Sequence, residues 1–335
     1  MSGMEISEVD GSDVAAFMRA HAILEDVARS GREFPTTLLR DEALTLLTSP
    51  PAGYRFSSLV CADGADCVGS AWLTWSLAEN RHMVVAEIAV DPRHRRRGVG
   101  SALLASIRSL ATAEGRSVLL GETFRPYGAA DAGAELFAER NGFTVQFTAL
   151  HQVLDYPVGG LKGLAEAVAS KHRDYRLLSW DGPCPAEHLE QFCDLLSLVD
   201  EEVPLDDLDL EPKQWTPDRL RALEEHRRTQ GHFGSTTVAV AADGSLAGFT
   251  QLTGSSQQPD RLNQRDTLVR AEHRGHRLGL ALKVANLRAL QSSTVRPATI
   301  HTWNAEANAP MIAVNDQLGF RPVEHQRVWQ VPVAE

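Results

Sequence analysis

The sequence predicts an α/β protein built from two tandem copies of one domain, each a mixed central sheet flanked by helices. Three observations lead to this prediction. The chain has 335 residues, more than one hydrophobic core usually supports. Two stretches, at about residues 60–150 and 235–330, repeat the same order of structural signals. In each stretch a short strand-like run leads into a glycine-rich turn and then into an amphipathic helix.

The repeat keeps its register over long distances. Gly69 precedes Arg95 by 26 positions, and Gly248 precedes Arg274 by the same 26. Both pairs are therefore offset by 179 residues. Chance similarity would not produce this agreement, so we interpret the chain as a duplicated domain. We predict a first domain at residues 1–156 and a second at 175–335. The linker between them, at 157–174, begins with the loop-forming sequence PVGG.

Within each copy the order of elements is strand, turn, helix, strand, helix. Strands are predicted from β-branched runs, and helices from apolar residues three or four positions apart that end at glycine. In the first copy the elements are a strand at Ala86–Val90, a helix containing Leu103, Leu104 and Ile107, a strand at Val118–Leu120 and a helix at 132–140. In the second copy they are a strand at Asp266–Val269, a helix containing Leu280, Val284 and Leu287, a strand at 298–300 and a helix at 311–318.

Composition and charge exclude several classes of protein. With 43% hydrophobic and 23% charged residues, the chain is typical of a globular protein. No run of about 18 apolar residues is present, so no membrane span is expected. The net charge of −11 argues against nucleic acid as a partner, because phosphates need a basic face. An acidic balance is compatible with a cationic substrate, and it also keeps a protein in solution.

Cysteine usage and the N-terminal residues favour a cytoplasmic protein. The four cysteines form no CxxC pair and no metal-like cluster with histidine, so reduced thiols and no metal site are expected. Residues 1–10 lack the basic-then-apolar layout of a signal peptide. Whether the chain is a monomer or a homodimer stays open.

The turn at Arg95–Gly100 carries the clearest chemical signal. Its glycines let the backbone approach a ligand closely. The helix that follows offers unpaired N–H groups and the positive end of its dipole, which together form a site for pyrophosphate. The neighbouring arginines add charge-assisted contacts to phosphate. The alternative is a loop that caps the helix, with the arginines as a solvated face.

A wider pattern resembles the GNAT superfamily of acetyltransferases. It consists of Val90-Asp91-Pro92, then Arg95-x-x-Gly98-x-Gly100, and later Asn141-Gly142-Phe143. The family's pyrophosphate-binding signature, Gln/Arg-x-x-Gly-x-Gly/Ala after the fourth strand, is complete in the first copy. The tandem layout, with TWNAEANAPMIAVNDQLGF near the end, resembles two-domain actinobacterial GNAT proteins, of which mycothiol synthase is one relative. The resemblance implies transfer of an acetyl group from acetyl-CoA to a primary amine.

The resemblance also implies which residues contact acetyl-CoA. In the first copy these are Ile88, Ala89, Val90, Arg95, Arg96, Arg97, Gly98, Val99, Gly100 and Ser101. In the second copy they are Leu268, Val269, Arg274, Gly275, His276, Arg277, Leu278, Gly279, Asn304 and Asn308. The second copy departs from the signature, since Arg277 stands where the first glycine is expected. For the two asparagines, helix capping is an equally good role.

Two carboxylates are candidates for the general base. Glu87 and Asp266 each stand eight residues before the signature arginine of their copy. The alternative for either is an ion pair with an arginine, since a carboxylate on a buried strand needs a partner. In many relatives the base lies eleven residues before the arginine, where this chain has Val84 and Asn263, and neither can serve.

The proton donor to the leaving thiolate differs from the family pattern as well. Relatives often place tyrosine four residues before the Gly-Phe pair, where this chain has Ala138 and Asn315. Asn315 can donate a hydrogen bond, so it is the third catalytic candidate together with Asp266 and Glu87. These residues favour the second domain for catalysis, with the first partly structural.

An acidic segment precedes the central strands of the second copy. Between Asp200 and Glu211 it places seven carboxylates in twelve residues. By analogy with the family it could form a wall of the acceptor site for a small cationic amine, or it could be a solvated acidic loop.

Three other functions compete with that of an acyltransferase. One is a non-catalytic acyl-CoA-binding sensor or scaffold, since both tyrosine positions are lost. Another is an aminoacyl-tRNA-dependent transferase, which predicts basic surfaces that this acidic chain lacks. The last is DNA binding through RHRRRG, a patch that suits pyrophosphate better.

Overall fold

The computed structural model describes residues 3–130, 133–202 and 210–334. Each copy contains the predicted order of strand, turn, helix, strand and helix. The first ten elements are β1 (Met4–Glu8), α1 (Val14–Arg29), α2 (Arg40–Thr48), β2 (Tyr54–Asp63), β3 (Asp66–Ser76), β4 (Met83–Val90), α3 (Val99–Ala113), β5 (Val118–Pro126), α4 (Gly133–Arg140) and β6 (Thr144–Asp155).

The remaining elements repeat this order with one additional helix at the start. They are α5 (Leu161–Ala169), β7 (Arg176–Asp181), α6 (Leu189–Glu202), α7 (Pro217–Thr229), β8 (His232–Val240), β9 (Leu246–Ser255), β10 (Gln258–Val269), α8 (Leu278–Ser292), β11 (Thr299–Ala305), α9 (Ala309–Leu318) and β12 (Arg321–Pro332). In the part of the chain that the structure describes, no helix is long and apolar enough to cross a membrane.

The chain forms two compact units, and each has the same mixed sheet. In the first unit the strand order is β1-β2-β3-β4-β5-β12, with β4 and β5 parallel and the other pairs antiparallel. In the second unit it is β7-β8-β9-β10-β11-β6, again with one parallel pair, β10 and β11. The predicted fold class, a duplicated α/β domain, is confirmed.

The domain boundaries differ from the prediction because the copies exchange their last strands. Glu324–Glu335 belongs to the first unit, where β12 pairs with β5, while the second unit begins at Ala149, so that the end of β6 pairs with β11. A break at residue 156 is therefore incorrect. The pattern of a strand's own residues does not specify which sheet it joins.

The predicted linker is also part of a unit. Helix α5 lies within residues 157–174, and its side chains Leu161 and Val168 are buried in the core of the second unit against α8. A solvent-exposed linker would not bury such residues. This segment therefore stabilises the second unit.

Helices cover both faces of each sheet. In the first unit α3 packs on one face of the sheet, where Val99, Leu103 and Ile107 cluster with Leu73 and Val84. On the other face Phe17 and Leu24 of α1 cluster with Trp72. In the second unit α8 and α5 cover one face and α6 and α7 the other; the buried residues include Leu280, Leu287 and Ile300, and Phe192, Leu220 and Phe249. Because helices cover both faces of each sheet, a ligand-binding site is expected at the sheet edges and in the turns.

Candidate active sites

The two parallel strands of each sheet separate towards their carboxyl ends. In the first unit the pairing of β4 with β5 runs from Met83 to Val85, whereas β4 stays paired with β3 as far as Val90. In the second unit the pairing of β10 with β11 ends at Asn263, and β10 continues to Val269. Beyond these points β4 and β10 are each paired with a strand on one side only. An open strand edge can bind an extended ligand through its backbone.

The turn after β4 has the backbone of an anion cradle. Arg96 (φ 62°) and Gly98 (φ 89°) are both left-handed, and Gly98 is the N-cap residue directly before α3. Arg95 Nε donates to the carbonyl of Val90 at 3.3 Å, which ties the turn to the end of β4. The first N–H groups of α3 have no partner within the helix, because an α-helix leaves them without one. The predicted cofactor residues from Arg95 to Ser101 therefore lie at the N-terminus of α3, whereas Ile88, Ala89 and Val90 lie at the end of β4.

The turn of the second copy also has two left-handed residues, but here the glycine is the first of the two and the arginine the second. Gly275 (φ 86°) and Arg277 (φ 57°) are left-handed, and Arg277 is the N-cap residue directly before α8. Arg274 Nε donates to the carbonyl of Val269 at 3.1 Å, as Arg95 does in the first copy. The left-handed pair is thus Arg-x-Gly in one copy and Gly-x-Arg in the other. A left-handed arginine costs about 1–2 kcal/mol relative to glycine, and the turn keeps its shape despite this cost.

Glu87 lies where the strands of the first unit have separated. Continuing the register of β4 and β5 places Glu87 level with Glu122. Solvent reaches both side chains from the cleft, but protein surrounds most of each carboxyl. This desolvation and the like charge of Glu122 raise the pKa of Glu87 to about 7. Among the described residues Glu87 has no ion pair, so the ion-pair alternative does not apply to it.

Arg32 is the cation of this cleft, and it is bound to another carboxylate. Its Nε and Nη2 donate to the two carboxyl oxygens of Glu324 at 2.5 and 2.8 Å, and both side chains are nearly buried. The guanidinium also lies 4.1 Å from the centre of the Phe124 ring. The charge of Arg32 lowers the pKa of Glu87, but desolvation and the charge of Glu122 raise it by more. Three carboxylates, at 87, 122 and 324, thus face one arginine.

Comparison with known proteins agrees with this geometry. Residues 55–145 match the family model described as an acetyltransferase (GNAT) domain. A tandem GNAT protein from the clavulanic acid biosynthesis pathway, solved without acetyl-CoA, has a TM-score of 0.82 and 27% identity over 99% of both chains.

The chain has the fold of a tandem GNAT protein.

Two further solved structures share the fold. A GCN5-related N-acetyltransferase from Sphaerobacter thermophilus has a TM-score of 0.66 and 12% identity, over 98% of this chain and 96% of the other. The glucosamine N-acetyltransferase region of a fungal multi-domain β-N-acetylglucosaminidase has a TM-score of 0.68 and 12% identity, over 99% of this chain and 38% of the other. None of the curated protein sequences compared with it matches significantly. The GNAT fold supports acyl transfer from an acyl-CoA.

Asp266, in the second copy of the GNAT fold, differs from its repeat counterpart Glu87. Strand β10 shifts register between Gln264 and Thr267, so Arg265 and Asp266 form a bulge, whereas β4 runs regularly along β3. Asp266 is exposed, and its charge raises the pKa of Arg227 against the larger effect of burial. Asp266 therefore acts on Arg227 by its charge, but among the described residues it forms no ion pair.

Asn315 is buried inside the second unit. Its Nδ2 donates to Gln152 Oε1 at 2.9 Å, and its Oδ1 accepts from Lys283 Nζ at 2.6 Å. The side-chain amide is engaged on both sides by protein groups. This arrangement favours a structural role for Asn315, in contrast to the proposed donation to a thiolate.

The two other asparagines of the second copy are held by local hydrogen bonds. Asn308 caps α9, since its Oδ1 accepts from the Met311 N–H at 3.2 Å, so the capping role is confirmed. Asn304 Nδ2 donates to Thr302 Oγ1 at 3.4 Å. The central part of the acidic segment, residues 203–209, lies outside the described residues. Its last member, Glu211, accepts from the Asn80 N–H at 2.7 Å.

Sequence reasoning missed three groups of the first cleft: Arg32, Glu122 and Glu324. Glu122 could have been found, since continuing the strand register places it beside Glu87. Arg32 stands in a loop without a motif, and Glu324 is 292 residues away from it in the chain. No local signal connects these two residues.

Proposed function

We propose that the first unit transfers an acetyl group from acetyl-CoA to the primary amine of a small cationic molecule, with Glu87 as the general base. One observation carries this proposal: a carboxyl whose pKa lies near 7 stands in the cleft beside the opened strand. A base with a pKa near the working pH combines a large deprotonated fraction with useful proton affinity. The proposal assigns catalysis to the first unit, whereas the sequence favoured the second unit.

The cradle suits the phosphates of a CoA ester. Gly98 is left-handed, and a side chain on Gly100 would lie 3.3 Å from Phe137, so the turn has little room for larger residues. The exposed arginines at 95–97 are positioned to bind phosphate oxygens. Backbone groups of Ala89 and Val90 at the open edge would orient the thioester. Bound acetyl-CoA supplies the acetyl group as an activated ester.

The charges of the cleft favour an ammonium-bearing acceptor. Glu122 adds negative charge beside Glu87, and the charge of Arg32 is paired with Glu324. A cationic amine is attracted to this cleft and then gives its proton to Glu87, directly or through water. The neutral amine attacks the carbonyl carbon, the nitrogen gives its second proton to water, the carbon–sulfur bond breaks, and the thiolate leaves. With Ala138 buried at the usual acid position, the thiolate takes its proton from water, which its ordinary pKa of about 8.5 permits.

The test is a comparison of Glu87→Gln with the repeat-equivalent Asp266→Asn. Turnover is followed by thiol release, with acetyl-CoA and a panel of polyamines and amino sugars. At neutral pH the Glu87 variant should lose about 10²- to 10⁴-fold in kcat/KM, the usual contribution of a general base. The Asp266 variant should stay close to the wild type.

The pH profile provides a second readout. In the wild type kcat/KM should rise as pH increases through about 7, because Glu87 becomes deprotonated there. The Glu87→Gln variant should lack this rise. A large loss in the Asp266 variant alone would transfer the active site to the second unit, and an inactive wild type across the panel would favour a non-catalytic acyl-CoA-binding protein.

A further inference from the structure

One face of the sheet in the first unit carries the groups of its cleft. The pairing of β4 with β5 ends where Val85 lies opposite Leu120. Two residues further along each strand stand Glu87 and Glu122, which therefore point to the same face. Phe124 follows on that face, about 6.6 Å beyond Glu122 along β5. The candidate base and the Phe124 ring thus belong to one surface.

Arg32 is fixed above this surface by a ring, a carboxylate and a hydroxyl group. Its guanidinium lies 4.1 Å from the centre of the Phe124 ring. Its Nε and Nη2 donate to the two carboxyl oxygens of Glu324, and Nη2 also donates to Thr36 Oγ1 at 3.1 Å. Its charge lowers the pKa of Glu87, which agrees with its place on the same face. Arg32 is therefore held in one orientation beside the candidate base.

These contacts leave one nitrogen of the guanidinium for a ligand. Among the described residues, Nη1 of Arg32 donates to no group. The side chain is only 8% exposed, so the guanidinium is largely withdrawn from water. An N–H group in such a place is costly to leave without an acceptor. A ligand oxygen beside Nη1 would provide that acceptor.

The pairing of Arg32 with Glu324 decides which kind of oxygen suits this position. The two side chains are nearly buried and their contact is bidentate, so the charge of Arg32 is balanced at hydrogen-bond distance. A ligand carboxylate at Nη1 would share the guanidinium with Glu324 and would be repelled by it, because like charges in a desolvated place are unfavourable. An uncharged oxygen accepts the same hydrogen bond without this repulsion.

We propose that Arg32 determines the acceptor specificity of the first unit by donating from Nη1 to a hydroxyl or carbonyl oxygen of the acceptor, whose amine lies at Glu87. The substrate class is then an amine that also carries an uncharged oxygen, such as an amino alcohol. The two groups are separated by a distance comparable to two residues of a strand, about 6.6 Å. This inference rests on the proposed acyl transfer by the first unit.

Binding of matched amines tests the specificity without requiring turnover. The full-length protein is titrated by calorimetry, in the presence of CoA, with aminopentanol and with hexylamine, in which a methyl group replaces the hydroxyl group. Aminopentanol should bind about tenfold more tightly, the contribution of one hydrogen bond from a charged donor. Aminopentanoate, which ends in a carboxylate, should bind more weakly than aminopentanol. Tighter binding of aminopentanamide than of aminopentanol would identify the oxygen as a carbonyl, and the reverse order as a hydroxyl.

Two variants connect this preference to Arg32. Arg32→Lys keeps a positive charge beside Glu324 but removes the guanidinium donors, so aminopentanol and hexylamine should bind to it about equally. Glu324→Gln removes the charge that balances Arg32, so aminopentanoate should then bind more tightly than aminopentanol. Arg40→Lys is the matched control, since the ion pair of Arg40 with Glu25 joins α2 to α1, and it should keep the wild-type preference. Each result is a ratio of two affinities within one variant, which a general loss of stability does not change.

Equal affinities of the wild type for aminopentanol and hexylamine would overturn the inference. So would a preference for the hydroxyl group that persists in Arg32→Lys. The proposed acyl transfer can fail separately. If aminopentanol binds preferentially but no amine releases thiol from acetyl-CoA, the catalytic assignment of Glu87 is wrong and the Arg32 site stands. If thiol release depends on Glu87 but kcat/KM is equal for aminopentanol and hexylamine, the specificity of Arg32 is refuted and the base assignment stands.

Discussion

Lys283 allows a quantitative prediction about the stability of the second unit. It is fully buried in α8, where its Nζ donates to Asn315 Oδ1 and lies 5.8 Å from the centre of the Phe320 ring. Burial lowers its pKa from 10.5 to about 7. The first copy has apolar residues at the equivalent positions, with Leu104 in place of the lysine and Ala138 in place of the asparagine.

The sign and size of the effect follow from proton linkage. The folded-state pKa lies below the unfolded one, so the unfolded chain binds more protons between pH 7 and pH 10.5, and stability rises with pH across that window. Burying the charged ammonium therefore lowers the free energy of unfolding by about 5 kcal/mol at pH below 7. Between pH 7 and pH 9 this one group should contribute about 2 kcal/mol to the increase in stability.

Urea denaturation followed by circular dichroism, at several pH values from 7 to 9, measures this contribution. The double variant Lys283→Leu with Asn315→Ala installs the pair found in the first copy and should lose about 2 kcal/mol of the pH dependence. Lys162→Met is the matched control, since Lys162 is an exposed lysine of the same unit. If the double variant and the control show the pH dependence of the wild type, Lys283 is not a desolvated lysine and the reasoning is wrong.

Three further predictions concern the turns and the first cleft. Gly98→Glu should abolish acetyl-CoA binding at the first turn, because it places a side chain at φ 89° and a carboxylate against phosphate; calorimetry showing unchanged affinity in the folded variant would contradict this. Arg277→Gly should raise the stability of the second unit by about 1 kcal/mol by relieving a left-handed arginine, and an unchanged or lower urea midpoint would argue against such strain. Glu122→Gln should shift the rise of kcat/KM towards lower pH, since removing a like charge lowers the pKa of Glu87; an unshifted profile would mean that Glu122 does not act on the base.

The sequence by itself determined the duplication and the place of the turns. The equal spacing of Gly69 to Arg95 and of Gly248 to Arg274 reflects the same strand, turn and helix in both copies. These are local features, because glycine, β-branched runs and helical periodicity act over a few residues. The sequence also identified Glu87 as a candidate base, although it favoured Asp266.

The tertiary structure decided what the local patterns could not. Glu324 joins Arg32 only because β12 completes the sheet of the first unit, and a strand's own sequence does not specify which sheet it enters. Glu87 and Asp266 hold the same repeat position, yet one faces Glu122 across a cleft and the other lies in a bulge near Arg227. The pKa of a carboxyl depends on desolvation and on charges brought close by folding, so equal positions in the sequence did not give equal chemistry.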